Sequence, residues 1–358
     1  SKYRIKVFKF ATNRSNMKIL VTGGLGFIGS HTVVSLVEHQ HEVVIIDDLS
    51  NSSLSVLDRI ASIIGKKPEF HQLDITDQDQ LREFFKTHQD IEGCIHFAAS
   101  KAVGESVEKP LHYYQNNINA LVYLLKELVR IPGCGLIFSS SCTVYGQAKK
   151  MPITEDAPVK QAESPYGNTK KVGEEIIRDT TKVSDLQDIS LRYFNPIGAH
   201  DSAKIGELPK GTPQNLVPFI TQTAIGKRKE LAVFGNDYPT DDGTCIRDYI
   251  HVLDLAEAHV IAVERLVEQK NASQFEVFNV GTGKGNSVLE VVEAFQRATG
   301  EKLPYKIADR RPGDVISAYA DTTKANDVLG WKARFTLEDA LKSAWEWEKS
   351  LNQPQPEL

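Results

Sequence analysis

No apolar run in this sequence approaches the length of a membrane-spanning helix. Stretches such as Val43 to Ile46 are only a few residues long, against about 20 for a bilayer crossing, so no transmembrane segment is expected. Cysteine is scarce as well. Cys94, Cys134, Cys142 and Cys245 lie far apart with no C-x-x-C pair, which excludes a disulfide-framed module and points to a reducing, cytoplasmic setting. Positive charge is not in excess: the net charge is −5, and Lys2, Arg4, Lys6, Lys9 and Arg14 fall in an acid-free opening of sixteen residues, leaving the remainder more acidic than the total. A nucleic-acid-binding body is excluded on that ground. The ten histidines show no H-E-x-x-H or comparable spacing, so no metal is expected, and His251 reads as a packing residue. Lys149-Lys150 and Lys227-Arg228-Lys229 read as solvated faces.

What the chain does have is material for a core. Its 358 residues are 41% hydrophobic and 25% charged, a globular composition long enough for two domains. Residues 1–16 stand apart as an upstream extension or a vector-derived scar. From Met17 the pattern alternates: Lys18 to Thr22 and Glu42 to Ile46 read as strands around a helix at Phe27 to Glu38. Further strands follow at Glu69 to Leu73, Cys94 to Ala98, Gly135 to Ser139 and Ile189 to Tyr193, with a helix opened by Thr76. Strands alternating with helices predict a doubly wound parallel α/β sheet of the Rossmann type over 17–195. Pro and Gly punctuation beyond Tyr193 predicts a smaller C-terminal α/β substrate lobe over 196–350, then a polar tail at 351–358. Within that lobe, Val233 to Phe234 and Tyr249 to Val252 are candidates for a strand returning to the first sheet.

Gly24-Leu25-Gly26-Phe27-Ile28-Gly29 is a G-x-G-x-x-G turn between the first strand and the first helix, preceded by Gly23. Such a turn lets a diphosphate approach the backbone at a helix N-terminus. Asp47 ends the second strand, where a carboxylate accepts from ribose hydroxyls, and no arginine follows closely to welcome a 2′-phosphate, so NAD is favoured over NADP. Asp74-Ile75 ends the next strand and reads either as an adenine contact or as a helix-capping pair.

Ser164-Pro165-Tyr166 reads as N-cap, first position and first turn of a helix, with Lys170 four residues on, on the same face. A phenol has a pKa near 10. Lys170 and a positive nicotinamide ring together are expected to bring Tyr166 into the range of a general base. Ser141 ends a preceding strand with Ser139, where it can relay a substrate hydroxyl's proton or merely finish the strand.

The segments TGGLGFIG (Thr22 to Gly29), HFAASKAVGES (His96 to Ser106), FSSSCTVYG (Phe138 to Gly146), SPYGNTK (Ser164 to Lys170), RYFNPIGAH (Arg192 to His200) and FGNDYPTDDGTCIRDYIHV (Phe234 to Val252) resemble the extended short-chain dehydrogenase/reductase family, specifically its UDP-glucose 4-epimerase branch, from Met17 to about Trp347. The resemblance implies that Gly23, Gly26, Phe27, Ile28 and Gly29 hold the NAD diphosphate and Asp47 its ribose. Asp48 stands where the family commonly has Asn, weakening one cofactor hydrogen bond, and Asn51 follows it. Phe97, Ala98, Ala99 and Lys101 match the loop over the cofactor, joined by Asn116, Ser139 and Tyr193. Ser141, Tyr166 and Lys170 match the catalytic trio. Phe194, Asn195, Asn215, Leu216, Arg247, Arg311 and Asp314 match the UDP-sugar site, which Lys101, Ser141 and Tyr166 share. Two guanidiniums suit a dianionic diphosphate.

The implied reaction is reversible 4-epimerisation of UDP-glucose and UDP-galactose through a transient 4-keto sugar with enzyme-bound NAD. Sugar-nucleotide 4,6-dehydratases share the fold and resemble one another in an Asp-Glu pair before Val-Tyr-Gly. Here Cys142-Thr143 stands there, which argues against elimination. A non-catalytic NAD sensor is opposed by the intact trio. Ala318 falls where narrow epimerases carry a bulky tyrosine, so UDP-N-acetylglucosamine and UDP-N-acetylgalactosamine are expected substrates too. Family members usually pair as homodimers. The candidate helices are Leu111 to Arg130, with Leu121, Leu124, Leu125 and Leu128, and Tyr166 to Val183; internal core is the alternative role for those leucines.

Overall fold

The computed structural model describes residues 16–311 and 313–352; the expectations for 1–15 and for most of the polar tail lie outside them. Strands β1 (Lys18–Thr22), β2 (Glu42–Asp47), β3 (Glu69–Gln72), β4 (Gly93–His96), β5 (Gly135–Ser141) and β6 (Gln187–Tyr193) alternate with helices α1 (Phe27–Glu38), α2 (Ser55–Ile64), α3 (Gln78–Thr87), α4 (Val103–Glu108), α5 (Pro110–Leu128) and α6 (Pro165–Thr181). Beyond them lie β7 (Asn195–Ile197), α7 (Leu216–Ala224), β8 (Leu231–Phe234), β9 (Ile246–Arg247), β10 (Tyr249–His251), α8 (Val252–Val267) and β11 (Phe275–Val280). The chain closes with β12 (Asn286–Ser287), α9 (Val288–Thr299), β13 (Tyr305–Ala308), β14 (Ser317–Ala318) and α10 (Leu337–Leu351).

Seven strands form one parallel sheet in the order β11-β6-β5-β4-β1-β2-β3. Both faces are buried, so the strands are apolar at consecutive positions rather than alternately. Ile19, Val21, Val43, Ile45 and Ile137 face one core with α1 and α8. Leu20, Val44, Ile46, Leu136 and Phe138 face the other, under α3, α5 and α6. The returning strand is β11 rather than either candidate named above: β8 pairs with β13 and β10 with β7 in small sheets of their own. Alternation marks a strand but not its partner, and β11 is brought to β6 by α8 crossing the sheet.

Two local expectations change. Helix α3 is capped by Asp77, whose carboxylate accepts from the amides of Asp79 and Gln80, and not opened by Thr76, which donates instead to Asp74. Aspartate caps as well as threonine does. Leu121, Leu124, Leu125 and Leu128 are buried in the chain's own core, so they do not form an outer pairing face.

His39, at the end of α1, fastens that helix to α8: its Nε2 lies 3.2 Å from Glu257 and its Nδ1 3.2 Å from Glu264. The hydrogen bond to Glu257, and then that to Glu264, raises the imidazole to about 9 from 6.5. A raised folded-state pKa stabilises fully below the unfolded value and loses that contribution as pH climbs through the folded one. Stability is therefore expected to fall by about 1–2 kcal/mol between pH 6 and pH 9.5, allowing for solvent screening. Urea unfolding at the two pH values measures it, and His39→Gln should flatten the difference.

Candidate active site

The glycine turn leaves β1 with no room for side chains. A Cβ on Gly29 would stand 2.2 Å from the Gly23 carbonyl oxygen, and Gly23 itself holds φ +69° with its would-be Cβ 2.8 Å from the Ala98 amide nitrogen. The α1 N-terminus, behind Gly26, has no side-chain cap and no acid in its first turn, which leaves its orphan N–H groups and positive dipole end for an anion. Asp47 is buried at the end of β2. Its carboxylate accepts from the Leu25 amide at 3.0 Å, the Leu49 amide at 3.0 Å and the Ser52 hydroxyl at 2.6 Å. Three of about four acceptor positions are thus occupied, which orients the group and leaves one position for a ribose hydroxyl. The shape and donors fit a dinucleotide such as NAD.

Around that turn the other expected cofactor residues divide. Ile28, Phe97 and Ala98 pack beside the two sheet cores. Ala99 and Asn116 are half-buried, and Asn116 donates to the Ser100 hydroxyl at 3.2 Å. Asp48 accepts from the amide and hydroxyl of Ser50, and Asn51 is exposed beside it. Asp74 is committed to a turn with Thr76, accepting at 2.8 and 2.7 Å, while Ile75 is buried. The side chain that anchors the loop over the cofactor is Asn117: it accepts from the Ser100 amide and donates to Thr169 on α6. Sequence reasoning passed over it because Asn116 and Asn117 are adjacent.

At the carboxyl end of β5, Ser141, Tyr166 and Lys170 meet at 6%, 8% and 4% exposure. Ser164 caps α6 by accepting from the Gly167 amide at 3.1 Å, with Pro165 at the first position. Lys170 donates to the Ser139 carbonyl at 2.7 Å, and its ammonium lies 5.9 Å from the Tyr166 ring centre. Ser139 and Tyr193 share a hydrogen bond of 2.6 Å alongside. Burial drives the Tyr166 phenol well above its ordinary value, the Tyr193 phenol adds to this, and a hydrogen bond with Ser141 pulls back. Burial also brings Lys170 down to about 8. The expectation that Lys170 and a positive nicotinamide together lower Tyr166 concerns the cofactor-bound site; in the chain by itself burial dominates and raises the phenol. Thr143, absent from the sequence-based set, has a buried hydroxyl oxygen with no partner among the described residues.

Beneath this trio lies a network that motif spacing cannot show. Glu174, one turn beyond Lys170, receives Arg192 at 2.6 and 2.8 Å and Ser140 at 2.5 Å. Arg192 also donates to the Tyr145 hydroxyl, which in turn donates to Asn279. Helix α6 is thereby fastened to β5, β6 and β11.

The residues expected at the UDP-sugar site gather in the C-terminal half of the chain. Asp314 accepts from Arg311 at 2.9 and 3.2 Å and faces Arg247 at 3.4 Å, a cluster with one positive charge in surplus. Asp248, fully buried, accepts from Thr282, Gly283 and Ala320, and its backbone joins Asn195 to Ala318. Phe194 and Ala318 are buried together with Val144 and Tyr145. Glu207 joins the lobes, receiving Asn215 at 2.6 Å and Lys101 at 3.4 Å, while Leu216 packs behind it in the second lobe's core. Neither Asp248 nor Glu207 carries a linear signal that separates it from other acids.

The family described as GDP-mannose 4,6 dehydratase matches residues 20–344. Cys142 and Thr143 offer no carboxylate for an elimination of that kind, and burial pushes the Cys142 thiol up to about 12. A UDP-glucose 4-epimerase of Bacillus subtilis is 48% identical over 335 residues, 93% of this chain and 97% of that one. Among solved structures, the UDP-glucose 4-epimerase of Stenotrophomonas maltophila with bound NAD and formylated UDP-arabinopyranose superposes with a TM-score of 0.90 at 46% identity, covering 94% of this chain and 99% of that one. That of Bifidobacterium longum in complex with NAD+ and UDP gives 0.88 at 43% identity, covering 93% and 98%. Sequence identity, fold and near-complete coverage agree: within the broader family, the chain belongs to the UDP-glucose 4-epimerases.

Proposed function

We infer that this chain interconverts UDP-glucose and UDP-galactose by inverting carbon 4. The observation that carries the reading is the meeting of Ser141, Tyr166 and Lys170 at the end of β5, beside a glycine turn that admits a diphosphate. NAD held by the Gly23 to Gly29 turn and Asp47 would supply reversible hydride-transfer chemistry at carbon 4, without net consumption. Tyr166 accepts the 4-hydroxyl proton through or beside Ser141 and gives it back when the hydroxyl reforms. Lys170 keeps a positive charge at the base of the site, fixed to the Ser139 carbonyl. Arg247 and Arg311 are suited to hold the UDP diphosphate by its oxygens, so the nucleotide is gripped by charge while the hexose is left free to turn between the two transfers.

Proton NMR of the purified protein with UDP-galactose tests this. Appearance of UDP-glucose alone supports the reading; a 4-keto-6-deoxy product, or no conversion even with added NAD, overturns it.

Substrate breadth is read from Ala318. Ala318 is buried in the small core that includes Phe194 and Tyr145, paired with Arg247 across the strand, and the reading rests on its side chain being small where a bulky one would crowd an N-acetyl group on UDP-N-acetylglucosamine and its galacto epimer. Ala318→Tyr is expected to lower UDP-N-acetylgalactosamine conversion by about tenfold or more while sparing UDP-galactose; side-by-side initial rates decide it, and equal loss of both rejects the steric reading. The chain is further read as a cytoplasmic homodimer. Cysteines that are all free support the compartment, and sedimentation at twice 39.8 kDa would bear out the pairing.

A further inference from the structure

We propose that Glu69, His71 and His88 form a binding site for one divalent transition-metal ion of the zinc class, on the sheet edge remote from Tyr166. Glu69 and His71 are the first and third residues of β3, so the period of two puts both side chains on one face. β3 is the outermost strand of the sheet. His88 follows the end of α3 and turns back over that face. The Glu69 Oε1 lies 2.8 Å from His71 Nε2 and 2.9 Å from His88 Nε2, and the three atoms fall within 4.8 Å of one another.

The rings are set in place by groups that do not depend on an ion. His88 Nδ1 is 2.7 Å from the Phe84 carbonyl and 3.0 Å from the Thr87 hydroxyl, which fixes the ring so that Nε2 is the nitrogen turned to Glu69. A backbone carbonyl holding the far nitrogen of an imidazole is also the usual outer support of a metal-binding histidine. Phe84 stacks on His88 at 4.0 Å and 9° and meets His71 edge-on at 5.0 Å. Lys18, the nearby cation, is engaged by Asp90 at 2.9 Å and Glu42 at 3.7 Å, so acid outweighs base around the group.

Two imidazoles and one carboxylate suit zinc, nickel, cobalt or copper, not magnesium or calcium, which take oxygen ligands. Tetrahedral zinc at about 2.0–2.1 Å from each ligand spaces them about 3.3 Å apart, so the Glu69 oxygen would open from each imidazole nitrogen by about half an ångström, and the two nitrogens already lie within 4.8 Å of each other. Exposure of 36% at His71 and 41% at Glu69 leaves the remaining position to water. Linear spacing hides the site because α3 lies between His71 and His88. Four strand spacings separate β3 from β5, on the order of 19 Å, so the ion would brace the sheet edge against the end of α3 without touching the reacting sugar.

The test uses the full chain, dialysed against EDTA and titrated with zinc chloride by calorimetry, beside His71→Ala and Glu69→Gln, both at half-open positions. The wild type is expected to bind one more zinc per chain than either variant, or to bind it at least tenfold more tightly. Its Tm should rise by about 2 °C or more with zinc and stay still with magnesium, and metal-free His71→Ala should retain wild-type epimerisation. Equal zinc stoichiometry and affinity in all three proteins, or no binding by the wild type, overturns the site and leaves the group as an ion pair.

Discussion

Tyr166→Phe is expected to lower kcat for UDP-galactose by about 10²–10⁴-fold, the span that a positioned general base contributes, while NAD binding persists. The phenol is nearly enclosed, 8% exposed, so few waters can stand in for its oxygen. Removing one hydroxyl from this ring changes the shape little, and α6 remains capped by Ser164. Retained cofactor fluorescence quenching alongside lost turnover separates a chemical defect from a folding defect. A variant with near wild-type turnover would remove Tyr166 from the mechanism. Lys170, brought to about 8 by burial, should lose its charge as pH rises above that value, weakening the positive field beneath the site.

Glu174→Ala is expected to be the most destabilising single change near the site, costing about 3–5 kcal/mol and lowering Tm by roughly 10 °C. Arg192 and Glu174 have side chains only 4% and 3% exposed. Deleting the carboxylate leaves a guanidinium buried with the Tyr145 hydroxyl as its remaining close side-chain partner, and Ser140 loses its acceptor. Replacing both partners with apolar residues of similar volume should cost less than removing the acid alone, because no charge is then stranded. Denaturant titration of Glu174→Ala and of the Glu174→Leu, Arg192→Met pair compares the two directly. If the single variant unfolds like wild type, the network does not anchor α6.

Much of the cofactor turn was legible because its chemistry is local. Gly23 to Gly29, the Ser164 cap and the four-residue step from Tyr166 to Lys170 each depend on residues close in sequence. The misreadings fall where local signals compete. Thr76 and Asp77 are both capable caps, and only the chain path chose Asp77. Leu121, Leu124, Leu125 and Leu128 form an apolar stripe that suits a dimer face or a core equally, and packing beneath α5 assigned it to the core.

By itself the sequence determined the parallel α/β class, the glycine turn with Asp47, and the residue types of the catalytic trio, since backbone sterics and helical periodicity act over a few residues. Tertiary structure decided which strand completes the sheet, that Glu174 and Arg192 neutralise each other, that Asp314 sits between two arginines, and that Glu207 ties Asn215 to Lys101. These depend on groups far apart in sequence but brought within about 3 Å, and burial, which raises the Tyr166 phenol and lowers the Lys170 ammonium, exists only once the chain has closed around them.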